Sequence, residues 1–178
     1  MSTLNITCPV IPGNPAATEI FWTRKSDHER WNNSQLIILN VSKTDDAEYT
    51  CTVFNEMIPT VGETTKTAKT SKFHLNVFFP AFIKLFSESG KYSREDIVVN
   101  ETQEVTFSCA AEANPASDIT IRSPQNKTIA MVYKTNTLHS KITNLSCISA
   151  GEYICTCSNN YTNGHPSISK LTLIVRCK

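Results

Sequence analysis

The chain has 178 residues, with 17 Lys and Arg against 16 Asp and Glu for a formal net charge of +1, and 40% of it is apolar. That balance lacks the one-signed field expected of nucleic-acid or anionic-membrane binding, and no apolar run approaches the roughly 18 residues that cross a bilayer. Length alone admits one or two domains, while seven cysteines point to an oxidising compartment.

Period-two alternation predicts the strands in chain order. Leu4, Ile6 and Cys8 share a face on the first, and Ile20 and Trp22 on the second. Leu36, Ile38 and Val41 lead to a turn at Asp45, after which Ala47, Tyr49, Cys51 and Val53 point inward. The Thr/Lys-rich stretch from Glu63 to Ser71 reads as the ascending arm of a hairpin, continued inward by Phe73, Leu75 and Val77. The junction Asn76-Val-Phe-Phe-Pro-Ala-Phe has no Gly/Ser spacer, which predicts a bent, restricted two-domain rod around Pro80. The order then repeats: Val105, Phe107 and Cys109, Asn114-Pro115 echoing Asn14-Pro15, Ile119 and Ile121, Ile142 and Leu145, Gly151, Tyr153 and Cys155, and finally Leu171, Leu173 and Val175.

Two segments carry the same signature, T-D-D-A-E-Y-T-C ending at Cys51 and I-S-A-G-E-Y-I-C ending at Cys155. Residues i and i+2 of a strand face the same way, so each tyrosine shares the inner face with its cysteine. The pattern resembles the corner leading into strand F of immunoglobulin-superfamily domains, and the resemblance covers essentially the whole chain. It implies an all-β fold of two tandem immunoglobulin-like β-sandwiches, residues 1–79 with strand A truncated and residues 80–178. It further implies bridges from Cys51 to Cys8 and from Cys155 to Cys109, a tyrosine hydroxyl bonded back to the corner backbone, and a tryptophan packed on the disulfide. Trp22 fills that place in the first half and Ile121 stands near it in the second. The 42 and 45 residues between paired cysteines suit a C2-set or I-set domain and leave no room for the extra C′ and C″ strands of a variable-type domain. Ser149 replaces the corner aspartate seen at Asp45, where a serine still bonds locally.

Three cysteines remain. Cys157 falls on the inner face where the first half has Val53, and reads as a buried thiol. Cys147 in the E–F turn and Cys177 at the end of strand G lie at one pole of such a sandwich, which favours a third disulfide; the rival is a partner for Cys177 beyond Lys178. Cys155-x-Cys157 lacks the ligands of a tetrahedral zinc cage, and no metal or other cofactor is expected.

Seven N-x-S/T sequons, at Asn5, Asn32, Asn40, Asn100, Asn126, Asn144 and Asn160, exceed the roughly three expected by chance from this composition. They predict an extracellular glycoprotein, at the cell surface or secreted. Met1 lies seven residues before Cys8, so the chain reads as an ectodomain fragment without membrane insertion of its own. His28, His74, His139 and His165 are scattered, and neither a nucleophile motif nor a Gly-rich phosphate loop occurs, so an enzyme is not expected.

Surface recognition is left. Strand parity turns Phe21, Thr23, Thr52, Phe54 and His74 outward on the C-F-G sheet of the first half, an aromatic and polar mix suited to a protein interface. Asn5 and Asn40 project from the opposite sheet. The F–G loop with Met57 and Ile58 is a second candidate surface, and Trp31 folds over the sandwich edge. The superfamily resemblance implies an adhesion or immune-type receptor binding a protein ligand or cell-surface counter-receptor, homophilic pairing included. The alternative is a soluble ligand-sequestering receptor or secreted immune-recognition protein. A sialic-acid lectin is disfavoured, because no arginine occurs between Ala47 and Phe54.

Overall fold

A computed structural model describes residues 2–10, 16–17, 19–89 and 96–178; the Asn14-Pro15 pair lies outside these described residues. Among the described residues the regular structure is strand apart from two short 3₁₀ turns, and the chain divides into two compact units, Met1–Val77 and Phe78–Lys178. The division falls two residues before the 79/80 boundary expected from Pro80. Its physical reason is that Phe78 stacks on Tyr161 at 5.4 Å and the first strand of the second unit already begins at Phe79.

In the first unit β1 (Leu4–Thr7) pairs antiparallel with β4 (Gln35–Ile38). The facing sheet runs β3 (Arg30–Trp31), β2 (Glu19–Arg24), β5 (Ala47–Met57) and β6 (Thr65–Leu75), again antiparallel. Trp22, Leu36, Ile38, Ala47, Tyr49, Cys51 and Val53 form the buried core between the sheets. Trp22 stands opposite Cys51 in the strand register, meets Phe73 edge-on at 5.7 Å and donates its Nε1–H to the Ser34 carbonyl at 3.2 Å. A buried indole thus keeps its one donor satisfied. The Cys8–Cys51 bridge crosses the sandwich with a Cα–Cα distance of 5.9 Å.

The second unit has the same plan with two further strands, Phe79–Glu88 and Ile97–Asn100, one at the edge of each sheet. One sheet orders β12 (Thr137–Ile142), β9 (Val105–Asn114) and β7 (Phe79–Glu88). The other orders β11 (Thr128–Val132), β10 (Asp118–Arg122), β13 (Gly151–Ser158), β14 (Ser167–Arg176) and β8 (Ile97–Asn100), with β8 parallel to β14. Ile121 stands opposite Cys155 as Trp22 stands opposite Cys51, so a branched aliphatic occupies the tryptophan position. Phe107 compensates from the other sheet, packing on Tyr153 at 4.5 Å and on Phe86 at 5.8 Å. Disulfides join Cys109 to Cys155 and Cys147 to Cys177. Cys157 is the free cysteine of the described residues; it is 1% exposed, and burial raises its thiol pKa.

One expectation fails in both units. A C′ strand does form, two residues long in β3 and five in β11, each paired to the neighbouring C strand. The spacing between the cysteines excludes a long C′–C″ hairpin, yet a short return segment costs few residues. Trp31 anchors β3 by packing on Tyr49 at 6.0 Å, as a partly buried neighbour of the core.

The two tyrosine corners are built alike. A 3₁₀ turn over Lys43–Asp45 is matched by one over Cys147–Ser149. The Ser42 N–H donates to Asp45 Oδ2 at 2.9 Å, and the Ser146 N–H to Ser149 Oγ at 3.2 Å. The Tyr49 and Tyr153 hydroxyls then donate to the Asp45 and Ser149 carbonyls at 3.1 and 3.0 Å. Each bond spans four residues and fixes entry into the strand carrying the disulfide cysteine. Gly151 opens β13 at φ +131°, and a Cβ there would meet Pro124 at 2.8 Å, so only glycine fits.

Candidate recognition surface

The outer face of the β3-β2-β5-β6 sheet follows from register. Phe21, Thr52 and Thr70 lie in one cross-strand row, Glu19, Phe54 and Ala68 in the next, and Thr23, Thr50 and Lys72 on the other side. Parity therefore turns both phenylalanines away from the core, and Phe21 stacks on Phe54 at 6.1 Å. Phe21 is nevertheless only 9% exposed. The Arg30 guanidinium reaches over from β3 and covers its ring at 3.6 Å, in cation–π geometry. Arg30 is itself held by an ion pair with Glu19 and by Nε–H donation to Asn32 Oδ1 at 2.6 Å. Phe21 is thus a covered support, and the accessible part of the aromatic pair belongs to half-buried Phe54, beside which Glu19, Asn55 and Lys66 line a shallow hollow.

The charges on this face neutralise one another. Glu48 lies between Lys72 at 3.2 Å and Lys25 at 3.7 Å, and the hydrogen bond from Lys72 foremost lowers its carboxyl pKa. Glu56 faces Lys66 at 3.4 Å, and His74 faces Asp46 at 3.3 Å. Thr23 and Thr52 are half-buried, and Thr23 Oγ1 reaches the Thr50 carbonyl at 3.5 Å. Such a surface offers little long-range steering and depends on shape and its aromatic group. Sequence reasoning missed Arg24, whose guanidinium binds Asp27 at 2.6 Å, Asp45 at 3.0 Å and Glu29, and lies 5.7 Å from the Trp31 ring. The bond to Arg24 lowers the Asp27 pKa, and the cluster clamps the corner to β2.

The β5–β6 ribbon runs on past the sandwich to its last pair, Met57 and Thr65. At its tip Ile58 is 75% exposed and Val61 91% exposed, with Met57 also exposed, so this loop does not tuck back onto its own unit.

All seven sequon asparagines are exposed. Asn5 lies on β1 opposite Ile37, Asn40 directly follows β4 and the exposed Leu39, and Asn32 borders the C′ edge at β3. Asn100, Asn126, Asn144 and Asn160 are distributed over the second unit, at the end of β8, between β10 and β11, after β12, and after β13. Glycans on Asn5 and Asn40 would screen Ile37 and Leu39, so an Asn5→Gln/Asn40→Gln variant is expected to aggregate more readily at equal stability. Light scattering of matched glycosylated samples checks this; identical scattering would contradict it.

Glu101, Cys147 and Cys177 come close enough to suggest metal ligands, but both sulfurs are spent in a disulfide. Among the described residues no helix is long and apolar enough to cross a membrane.

A family model described as an immunoglobulin domain matches residues 1–55. Neural cell adhesion molecule 1 of Mus musculus is 32% identical over 138 residues, covering 72% of this chain and 11% of the relative. The Homo sapiens protein is 29% identical over 160 residues, covering 76% of this chain and 17% of its own length. The chain therefore corresponds to a small part of these relatives. Among solved structures, Dpr11 IG1 bound to DIP-gamma IG+IG2 aligns at TM-score 0.58 with 19% identity, covering 98% of this chain and 90% of the other. Dpr2 Ig1-Ig2 in complex with DIP-Theta Ig1-Ig3 aligns at 0.56 with 20% identity, covering 98% and 60%. At such identity these structures show the shared fold.

Proposed function

The chain belongs to the immunoglobulin superfamily, and we propose that it is an extracellular segment of a cell-surface adhesion-type protein that binds another protein through the β5–β6 ribbon of its first unit. It is a recognition module and not an enzyme. The observation that carries the choice of surface is the sequon distribution on that unit: Asn5 and Asn40 on or beside the β1–β4 sheet, Asn32 at the β3 edge, and none on β5 or β6. Glycans at the first three would leave the ribbon as the open direction of approach. Half-buried Phe54, the neutralised charge pairs around it and the apolar tip at Met57 and Ile58 support the same reading. Similarity to neural cell adhesion molecule 1 favours adhesion, and the solved neighbours are Ig domains of Dpr proteins bound to Ig domains of DIP proteins.

The test uses the glycosylated fragment, examined for self-association by sedimentation and, as a tetramer, for binding to a panel of cells. Phe54→Ser is expected to weaken binding by about 1–2 kcal/mol, close to tenfold, with unchanged melting, while Thr172→Ala in the second unit does little. Full affinity in Phe54→Ser combined with loss in Met57→Ser and Ile58→Ser moves the contact to the loop tip. Tight capture of one soluble protein by a monomer that ignores cells would replace adhesion with ligand sequestration.

A further inference from the structure

The second unit contains a cleft of about 410 Å³ walled by Pro115, Ala116, Asp118, Lys134 and Ser158, with Asn159 and Asn160 on its margin. The volume is within the roughly 300–1,000 Å³ that small organic ligands fill. Asn159 cannot serve a ligand, because its side chain is fully committed. Its Nδ2 donates to the Phe79 and Pro115 carbonyls at 3.0 and 2.9 Å, and its Oδ1 accepts from the Ala81 and Tyr161 N–H groups at 3.2 and 3.1 Å. Thr162 Oγ1 completes the turn by donating to the Asn159 carbonyl at 2.7 Å. Asn160 therefore sits on a pinned base. It is exposed, and among the described residues no hydrogen bond is recorded for its side chain.

We propose that this cleft seats the innermost N-acetylhexosamines of a glycan attached to Asn160. The occupant is covalently supplied, since Asn160-Tyr161-Thr162 is a sequon whose asparagine lines the cleft. The wall chemistry suits an amidated sugar. Pro115 and Ala116 offer an apolar patch to the ring face and acetyl methyl, while Lys134, Ser158 and the Asp118 carboxylate oxygen left over after accepting the Lys134 N–H reach hydroxyl and amide groups. Asn40 and Asn126 stand in turns at φ 55° and 60°, and Asn126 Oδ1 instead takes a hydrogen bond from Arg122 at 3.1 Å.

The experiment follows release of each glycan from the native protein, produced in glycosylating cells, by a peptide N-glycosidase with peptide mass spectrometry. The Asn160 glycan is expected to leave about tenfold more slowly than those on Asn40 and Asn126. In Ala116→Trp, which fills the cleft, its rate should rise to theirs at unchanged occupancy. Lys134→Ala, a milder change to the wall, should accelerate release several-fold with melting intact. Release from denatured protein, where seating is lost, should proceed alike at all sites. An unmodified Asn160, or native release as fast as at Asn40, overturns the assignment, and neither result bears on where a protein partner docks.

Discussion

Trp22→Ala is expected to destabilise the first unit by about 3–5 kcal/mol, a large share of the roughly 5–15 kcal/mol that usually holds a domain folded, and so to lower its unfolding temperature markedly. The indole is 1% exposed, packs on Phe73 and faces the Cys8–Cys51 bridge from the neighbouring strand. Truncation leaves a cavity in a core that collapses poorly, because β2 is tied to β5 on one side and β3 on the other. It also removes one of two hydrogen bonds to the Ser34 carbonyl, which keeps the one from the Cys8 N–H at 2.8 Å. Thermal unfolding followed by circular dichroism should show an early transition for the first unit, with the second unit's transition retained. A loss below about 1 kcal/mol would mean that the indole is not the keystone its burial implies.

The outline of the fold is legible in the sequence because it rests on period-two alternation and on the tyrosine two residues before a cysteine, both local signals. The inward positions named from Leu4 to Val175 follow from parity, but β7 and β8, which bring Ala81, Phe86 and Ile97 into the second core, and Leu138 on β12 were not read from it. Contacts between groups that meet across strands escaped as well. Nothing in the alternation says that Arg30 will reach over Phe21, since that contact joins a two-residue strand too short to show any period. The same holds for Arg24 and Asp45, which are 21 residues apart.

Comparison of the units shows why Ser149 is tolerated. Alignment through Trp22–Cys51 and Ile121–Cys155 places Ser123 where the first unit has Arg24, so the second unit lacks both members of the ion pair. A corner aspartate without its arginine would leave an uncompensated, partly buried charge, whereas serine keeps the local bond to the Ser146 N–H and costs little. The two departures are one coupled change, visible only once register is known.

Removing the intersheet bridge of the second unit is expected to cost about 4 kcal/mol, from loop-closure entropy over 46 residues of separation. The informative variant is Cys109→Ser/Cys155→Ser. Cys155→Ser alone would leave Cys109 near Cys157, which lies on the same inner face two residues along β13 and carries a buried free thiol. That single variant should therefore lose less stability than the double variant if a Cys109–Cys157 bridge forms in its place, and peptide mapping would reveal it. In the unaltered protein a thiol-reactive dye should label nothing in the native state, since Cys157 is shielded and burial raises its pKa, and one group per chain after denaturation without reductant. Mapping should return Cys8 with Cys51, Cys109 with Cys155 and Cys147 with Cys177. Recovery of Cys157 bridged to Cys109, with Cys155 as the labelled thiol, would shift β13 by two residues and overturn the register from which the second unit's core is read.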